Sequence, residues 1–255
     1  MYPFITVLNK NISTYGVLML IAVILVFVLA FLRARKRAVQ IDDMLIIGAF
    51  SLLFAITFAN LLYILVSYSV TEIVSAVLNG RFEMFGGLVY YGGLVGGVLG
   101  GILGTKVAKV NTQIVENAVI PYLPIGHAVG RIGCVMAGCC HGMEYEGIFS
   151  VHYPKSIAGL PADQGYFPVQ ILEAVLNVFI ALFLIWYSKR DREPFKILSL
   201  YVLLYAVSRF LLEFLRGDKM RGIYFGVSLS QWIAIMLFII SIGYLVNLKF
   251  KKRSD

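Results

Sequence analysis

The sequence predicts an all-α polytopic membrane protein with seven transmembrane helices. Its N-terminus is expected outside and its C-terminus in the cytoplasm, with a small outer-face cap between the fourth and fifth helices. Three observations predict this. Hydrophobic residues make up 60% of the 255 residues and charged ones 14%, against about 45–50% and 25% in ordinary soluble domains. With a mean hydropathy of +0.85, no soluble packing hides this much apolar surface; a disordered chain, a coiled coil or a small disulfide scaffold is excluded by the same figures. The apolar residues fall into seven continuous runs, and basic residues gather in every second connection between them.

Crossing the hydrocarbon core takes about 20 apolar residues in a helix. Residues 15–32, 44–68, 86–105, 114–136, 167–187, 197–215 and 229–248 are runs of about that length. They are continuous rather than alternating with period two, which excludes a transmembrane barrel. The first run lacks a small-residue cleavage site and ends in Arg33-Ala34-Arg35-Lys36-Arg37. It reads as a retained helix, not a removed signal peptide.

Connections rich in Lys and Arg stay in the cytoplasm. Arg33, Arg35, Lys36 and Arg37 lie in one such connection, Lys106 and Lys109 in the next, and Lys189, Arg190, Arg192 and Lys196 in the third. Lys249, Lys251, Lys252 and Arg253 follow the last run. The net charge of +8 is therefore mainly an orientation signal, and nucleic-acid binding is not expected. No low-complexity linker interrupts residues 1–255, which read as a single integral membrane domain. The outer connection 141–166, with Pro154, Pro161 and four glycines, is the expected cap.

The remaining basic residues carry more information. Lys10 and Lys155 fall in outer loops, and Arg81, Arg216, Lys219 and Arg221 near outer helix ends. Arg131 and Arg209 fall inside apolar runs, where a charge is costly and is by default a functional candidate. Arg209, Glu213 and Arg216 are spaced i, i+4, i+7 and share one helical face. A plain intrahelical Arg209–Glu213 pair accounts for one arginine and leaves Arg131 to be balanced, with Glu173 as the available carboxylate. Two arginines near the outer leaflet suit a bidentate hold on a phosphate. Gln170 and Glu173, i and i+3 after Pro168, are placed to orient an arginine or a substrate hydroxyl. Ser228 or Ser230 reads as a helix N-cap, and His127 as a packed or hydrogen-bonded histidine.

Glycines recur every four residues at Gly92, Gly96, Gly100 and Gly104, and at Gly93, Gly97 and Gly101. Such stripes let helix backbones approach closely. The earlier stretch, Gly86-Gly87-Leu88-Val89-Tyr90-Tyr91-Gly92-Gly93, would also give a lipid headgroup room against bare backbone. The three cysteines fall in Cys134, Cys139 and Cys140, followed by His141. This spacing differs from the usual zinc patterns of separated Cys-x2-Cys pairs. A disulfide from Cys134 to Cys139 or Cys140, three small free residues, and a metal or redox centre all remain open; no metal site is assigned.

Together these residues resemble the prolipoprotein diacylglyceryl transferases of bacterial inner membranes. The resemblance rests on Tyr15-Gly16, the 86–97 glycine segment, Gly130-Arg131-Ile132-Gly133, Pro168-x-Gln170-x-x-Glu173, Arg209-x-x-x-Glu213-x-x-Arg216 and Ser230-Gln231. It implies transfer of the diacylglyceryl group from phosphatidylglycerol to the lipobox cysteine thiol of a preprolipoprotein. A thioether forms and glycerol phosphate leaves, with no cofactor. The expected location is the bacterial cytoplasmic (inner) membrane, with the active site facing the outer leaflet among membrane lipids. Carried over, Arg131 and Arg209 hold the phosphate, Glu213 and Arg216 orient Arg209 or the acceptor, and Tyr15 lines the lipid cavity. Gly92, Gly93, Gln170 and Glu173 join the phosphatidylglycerol site. Two positions depart from the family pattern. Tyr91 stands where members often carry a histidine, and is expected to supply a hydrogen bond, with Arg131 and Arg209 promoting the thiolate; Cys134 stands where many carry asparagine. The competing classes are a thiol-redox or metal-dependent membrane protein built on Cys134, Cys139, Cys140 and His141, and a non-catalytic lipid-binding relative. A transporter is disfavoured because no inverted repeat is visible.

Overall fold

The computed structural model describes residues 2–7, 10–80, 87–217, 223–224 and 226–254. Residue 86 of the glycine stretch, and Arg81, Lys219 and Arg221 among the outer basic residues, lie outside that set. The described chain is helical, with three short antiparallel hairpins. Five helical segments are long and apolar enough to cross a membrane: Thr14–Arg37, Ile41–Ser67, Thr112–Ala137, Val169–Tyr187 and Leu229–Lys251. Large apolar side chains such as Leu53, Phe179 and Ile239 stay exposed on these helices, as a lipid-facing surface requires. The protein is a helical membrane protein.

The other two expected spans form helices of 18 residues each, about 27 Å at 1.5 Å per residue. Both are less apolar for identifiable reasons. Glycines dilute α4 (Tyr90–Val107), and α8 (Lys196–Glu213) carries Lys196, Arg209 and Glu213.

The chain divides into two compact units, Met1–Ala30 with Glu116–Asp255, and Phe31–Val115. In the second unit α2 (Ile41–Ser67) packs along α4, and α3 (Val70–Leu78) follows α2. Glycine makes the α2–α4 contact possible. A Cβ added at Gly92, Gly96 or Gly100 would overlap the carbonyl oxygens of Phe58, Phe54 and Phe50, whereas Gly93 and Gly97 leave ordinary room of 3.6 and 3.7 Å. Both glycine stripes face α2, the first so closely that only glycine fits, the second at ordinary contact distance at Gly93 and Gly97. The contact is pinned by Ser51 Oγ donating to the Gly97 carbonyl (3.0 Å) and Asn60 Nδ2 to that of Gly87 (3.1 Å), bonds that help hold helices together in lipid. Gly96→Ala is expected to destabilise the protein by about 1–3 kcal/mol through overpacking. Gly93→Ala should be near neutral, and the unfolding midpoints of the two variants in detergent check the contrast.

In the first unit α1 (Thr14–Ala34) precedes α6 (Leu123–Ala137), α7 (Val169–Tyr187), α8 and α9 (Leu229–Ser254). Sequential helices pack as neighbours from α6 to α9. Small residues again set the approach: Gly126, Gly130 and Gly133 of α6 face Val26, Met19 and Tyr15 of α1. The expected fourth span, 114–136, falls within the helical segment Thr112–Ala137, whose α geometry a 3₁₀ turn interrupts. It comprises α5 (Thr112–Val119), a 3₁₀ turn at Ile120–Tyr122 and then α6, with Pro121 in the turn and Pro124 opening α6; proline removes a ladder donor and breaks the helix. Ile120, Ile180, Leu184, Ile197, Tyr201 and Tyr205 form the buried apolar core here. Glu116 closes the start of α8: its carboxylate accepts from the backbone N–H groups of Phe195 (2.6 Å) and Leu198 (3.3 Å), where the positive end of the helix dipole favours an anion.

The 141–166 connection folds into a lobe against the end of α8. Two short strands, Val151–His152 and Gly165–Tyr166, pair within it. Met143 N–H donates to the Leu215 carbonyl (2.9 Å), and Gly217 N–H to that of His141 (3.3 Å). Tyr153 is fully buried. Burial pushes its phenol up, keeping it protonated as a donor to Gln170 Oε1 (3.2 Å).

Candidate functional site

The polar residues of the first unit collect at one end of its helices. They come from the C-terminal parts of α6 and α8, the N-terminal parts of α7, α9 and α1, and the lobe. Glu173, in the second turn of α7 and 1% exposed, is the hub. Its Oε1 accepts from Arg131 Nη2 at 2.9 Å and from the Tyr205 hydroxyl at 3.4 Å, and lies 3.5 Å from His127 Nε2. Asn177 Nδ2 holds the Glu173 backbone carbonyl at 2.9 Å. Arg131 is thus balanced by the carboxylate that the sequence offered.

Arg209 has the intrahelical partner expected from its spacing, Glu213, at 2.6 Å. The same nitrogen, Nη2, donates to Ser230 Oγ at 3.3 Å. Ser228 divides its roles: its hydroxyl donates to Glu213 Oε1 (2.9 Å) and accepts from the Gln231 N–H (3.2 Å). Gln231 Oε1 in turn accepts from the Ser228 N–H (3.0 Å). Ser228 is therefore the cap of α9, in a reciprocal box of the kind that satisfies two orphan donors, and Ser230 serves Arg209. The charges of Arg131 and Arg209 both act on the His127 ring, which lies 5.0 Å from the Tyr205 ring. The two arginines therefore belong to one polar cluster.

Arg209 is buried and Arg131 half-buried, and each has a carboxylate, so the cost of desolvating the charge is largely met within the protein. What is not met is specific. Among the described residues, Arg209 Nη1, Arg131 Nε and Glu173 Oε2 are buried without a hydrogen-bond partner. An unsatisfied buried donor costs about 1–3 kcal/mol, more when charged. Arg209 keeps one arm of its planar fork unused, which is the geometry that receives an oxyanion.

The other expected site residues are placed as follows. Tyr15 opens α1 beside Gly133, within electrostatic reach of Arg131 and the three cysteines. Gln170 is 1% exposed and donates to the Cys139 carbonyl at 2.9 Å, so it ties α7 to the cysteine turn. Arg216 bridges to Gly142 of the lobe, and its charge reaches Cys140. Tyr91, Gly92 and Gly93 lie in the first turn of α4, in the second unit, with Gly92 packed on the Phe58–Ala59 backbone. The three cysteines are free thiols with Sγ atoms all within 4.8 Å of one another. Tyr205 and Ser230 are the partners that sequence reasoning did not assign. Tyr205 was traceable, because it lies four residues before Arg209 on the same face.

This architecture defines a class: a helical membrane protein with two arginines inside its helices, balanced by carboxylates, at one end of those helices. The chain matches the family model for prolipoprotein diacylglyceryl transferase over residues 3–247, and it belongs to that family. It is 31% identical over 234 residues to phosphatidylglycerol–prolipoprotein diacylglyceryl transferase 2 of Clostridium perfringens, covering 91% of this chain and 90% of that one. It is 30% identical to the phosphatidylglycerol–prolipoprotein diacylglyceryl transferase of Clostridium tetani, covering 94% of each. The transferase of the same description in Clostridium novyi is 28% identical, over 97% and 96%.

Proposed function

We propose that the protein transfers the diacylglyceryl group of phosphatidylglycerol to the lipobox cysteine of a preprolipoprotein, in the bacterial inner membrane. In this reading seven helices cross that membrane as one integral domain, and the arginine end faces the outer leaflet. The observation that carries it is the unused Nη1 of Arg209 in a cluster that also contains Arg131. The acceptor thiolate attacks the glyceryl carbon bearing the phosphate. A C–S bond forms, the C–O bond breaks, and the electron pair leaves with the phosphate oxygen as glycerol phosphate. Arg209 and Arg131 hold the phosphate as its charge develops, the kind of preorganised electrostatic help that dominates many enzymes. Glu213 and Ser230 fix the plane of the Arg209 fork, and Glu173 fixes Arg131. Arg216 orients the lobe, Tyr15 lines the acyl chains, and Gln170 positions the cysteine turn. Gly92 serves the α2–α4 packing, its space closed by the Phe58–Ala59 backbone.

The test is complementation of a strain depleted of its own transferase, read by the mass of a lipoprotein. The wild-type gene is expected to restore a diacylglyceryl-modified product; a wild-type protein that modifies no lipobox substrate leaves the lipid-binding reading in place of the enzymatic one. Tyr91 is proposed to donate a hydrogen bond to the acceptor. Tyr91→Phe should then lower the rate by about 10-fold, as loss of one modest hydrogen bond does, and unchanged lipidation removes it from the chemistry.

A further inference from the structure

The cysteine turn is not explained by the phosphate site. Its geometry is set by two left-handed residues. Gly138 (φ +69°) ends α6, and its space is closed by Ser156, whose hydroxyl donates to the Gly138 carbonyl at 2.6 Å. Two residues later Cys140 itself adopts φ +55°, a conformation that costs a non-glycine residue about 1 kcal/mol. Gln170 anchors the intervening Cys139 carbonyl. The result folds Cys139 and Cys140 back over Cys134, so that three thiols distant from any Cys-x2-Cys spacing meet within 4.8 Å.

We propose that Cys134, Cys139 and Cys140 bind one zinc ion as three thiolates, and that its fourth position takes the acceptor cysteine thiol. Tetrahedral zinc with Zn–S bonds of about 2.3 Å separates its sulfurs by about 3.8 Å, within the span the three Sγ atoms already occupy. Among the described residues no histidine, fourth cysteine or carboxylate joins the group. Three protein ligands with an open fourth position is the arrangement of a reactive zinc rather than a structural one. Zinc with three thiolates carries one net negative charge. The guanidinium charges of Arg131 and Arg216, which both act on Cys140, are of the sign that offsets it.

The second half of the proposal rests on the transferase reading; the metal site does not. A thiol that coordinates zinc is deprotonated outright. The acceptor's S–H proton passes to the water it displaces and on to solvent. Its sulfur then attacks the glyceryl carbon while the phosphate oxygen takes the C–O pair. Zinc keeps its oxidation state. The thioether product is neutral and a weaker ligand than a thiolate, so it leaves.

The test uses the full chain in detergent, reduced, stripped with a chelator and reloaded with zinc or with cobalt(II) as a spectroscopic probe. Bound metal of one per chain, with sulfur-to-cobalt charge transfer and tetrahedral d–d bands, is expected. Cys139→Ser and Cys140→Ser should each weaken binding by more than the roughly 100-fold that loss of an outer partner costs. His141→Ala should leave it intact. Unfolding midpoints confirm that the serine variants are folded. A lipobox peptide with cysteine should shift the cobalt spectrum, and its serine analogue should not. Reduced wild-type protein that takes up no metal, or metal that persists when all three cysteines are serine, overturns the site. Metal binding with no peptide-induced shift overturns the acceptor role alone. Lipidation by metal-free wild-type protein overturns the acceptor role while leaving the transferase reading standing, whereas metal uptake without any lipidation overturns the transferase reading and the acceptor role with it, and leaves the metal site.

Discussion

Arg209→Lys is expected to lower diacylglyceryl transfer by about 10²–10³-fold, the usual effect of removing one preorganised stabiliser of transition-state charge, with the protein still folded. The substitution keeps a cation opposite Glu213, so the buried carboxylate retains its counter-charge. What it loses is the fork. Arg209 uses Nη2 for Glu213 and Ser230 and holds Nη1 buried and unsatisfied among the described residues. A lysine ammonium is a compact point charge and does not present a second in-plane donor while it stays on Glu213.

The kinetic pattern matters as much as the size of the loss. If Arg209 meets charge that appears as the C–O bond breaks, kcat and kcat/KM fall together. If it only anchors the ground-state headgroup, KM rises with kcat unchanged. An Arg209→Lys protein with the wild-type rate, measured as thioether formation on a lipobox peptide in phosphatidylglycerol micelles, removes Arg209 from the phosphate site.

How far this site was readable depends on the range of each contact. The Arg209–Glu213 pair follows from helical periodicity alone, since i and i+4 share a face wherever the helix forms. The apolar runs locate most helices to within a few residues: 15–32 became Thr14–Ala34 and 167–187 became Val169–Tyr187. The break in the 114–136 run was hidden by its hydrophobicity, although Pro121 and Pro124 signalled it. Helix α3 lies between two apolar runs and is too short to show as one, although Ser69 and Glu72 make a capping box that the sequence displays. Arg131–Glu173 joins two helices, so the sequence offers the partner but not the contact. The thiol cluster depends on a left-handed Cys140, a conformation that residue type does not announce.

Glu173 carries the second large expected effect. Glu173→Gln should lower stability by roughly 3–5 kcal/mol, because removing one member of a buried ion pair leaves the other uncompensated. Arg131 would meet a neutral amide oxygen in place of its counter-ion at 2.9 Å, and the amide N–H groups would take the place of Oε2, buried without a partner among the described residues. A drop in activity in this variant is therefore ambiguous, since a displaced Arg131 and an unfolded cluster both abolish transfer. The double variant Arg131→Met/Glu173→Leu resolves it. Replacing a whole buried pair by apolar residues of similar volume is often neutral or stabilising, so the unfolding midpoint in detergent should recover most of the loss seen in Glu173→Gln. Activity should stay lost, because the double variant restores packing but supplies no second cation for the phosphate. If stability and transfer return together, Arg131 and Glu173 serve only to balance each other, and Arg209 meets the leaving phosphate without Arg131.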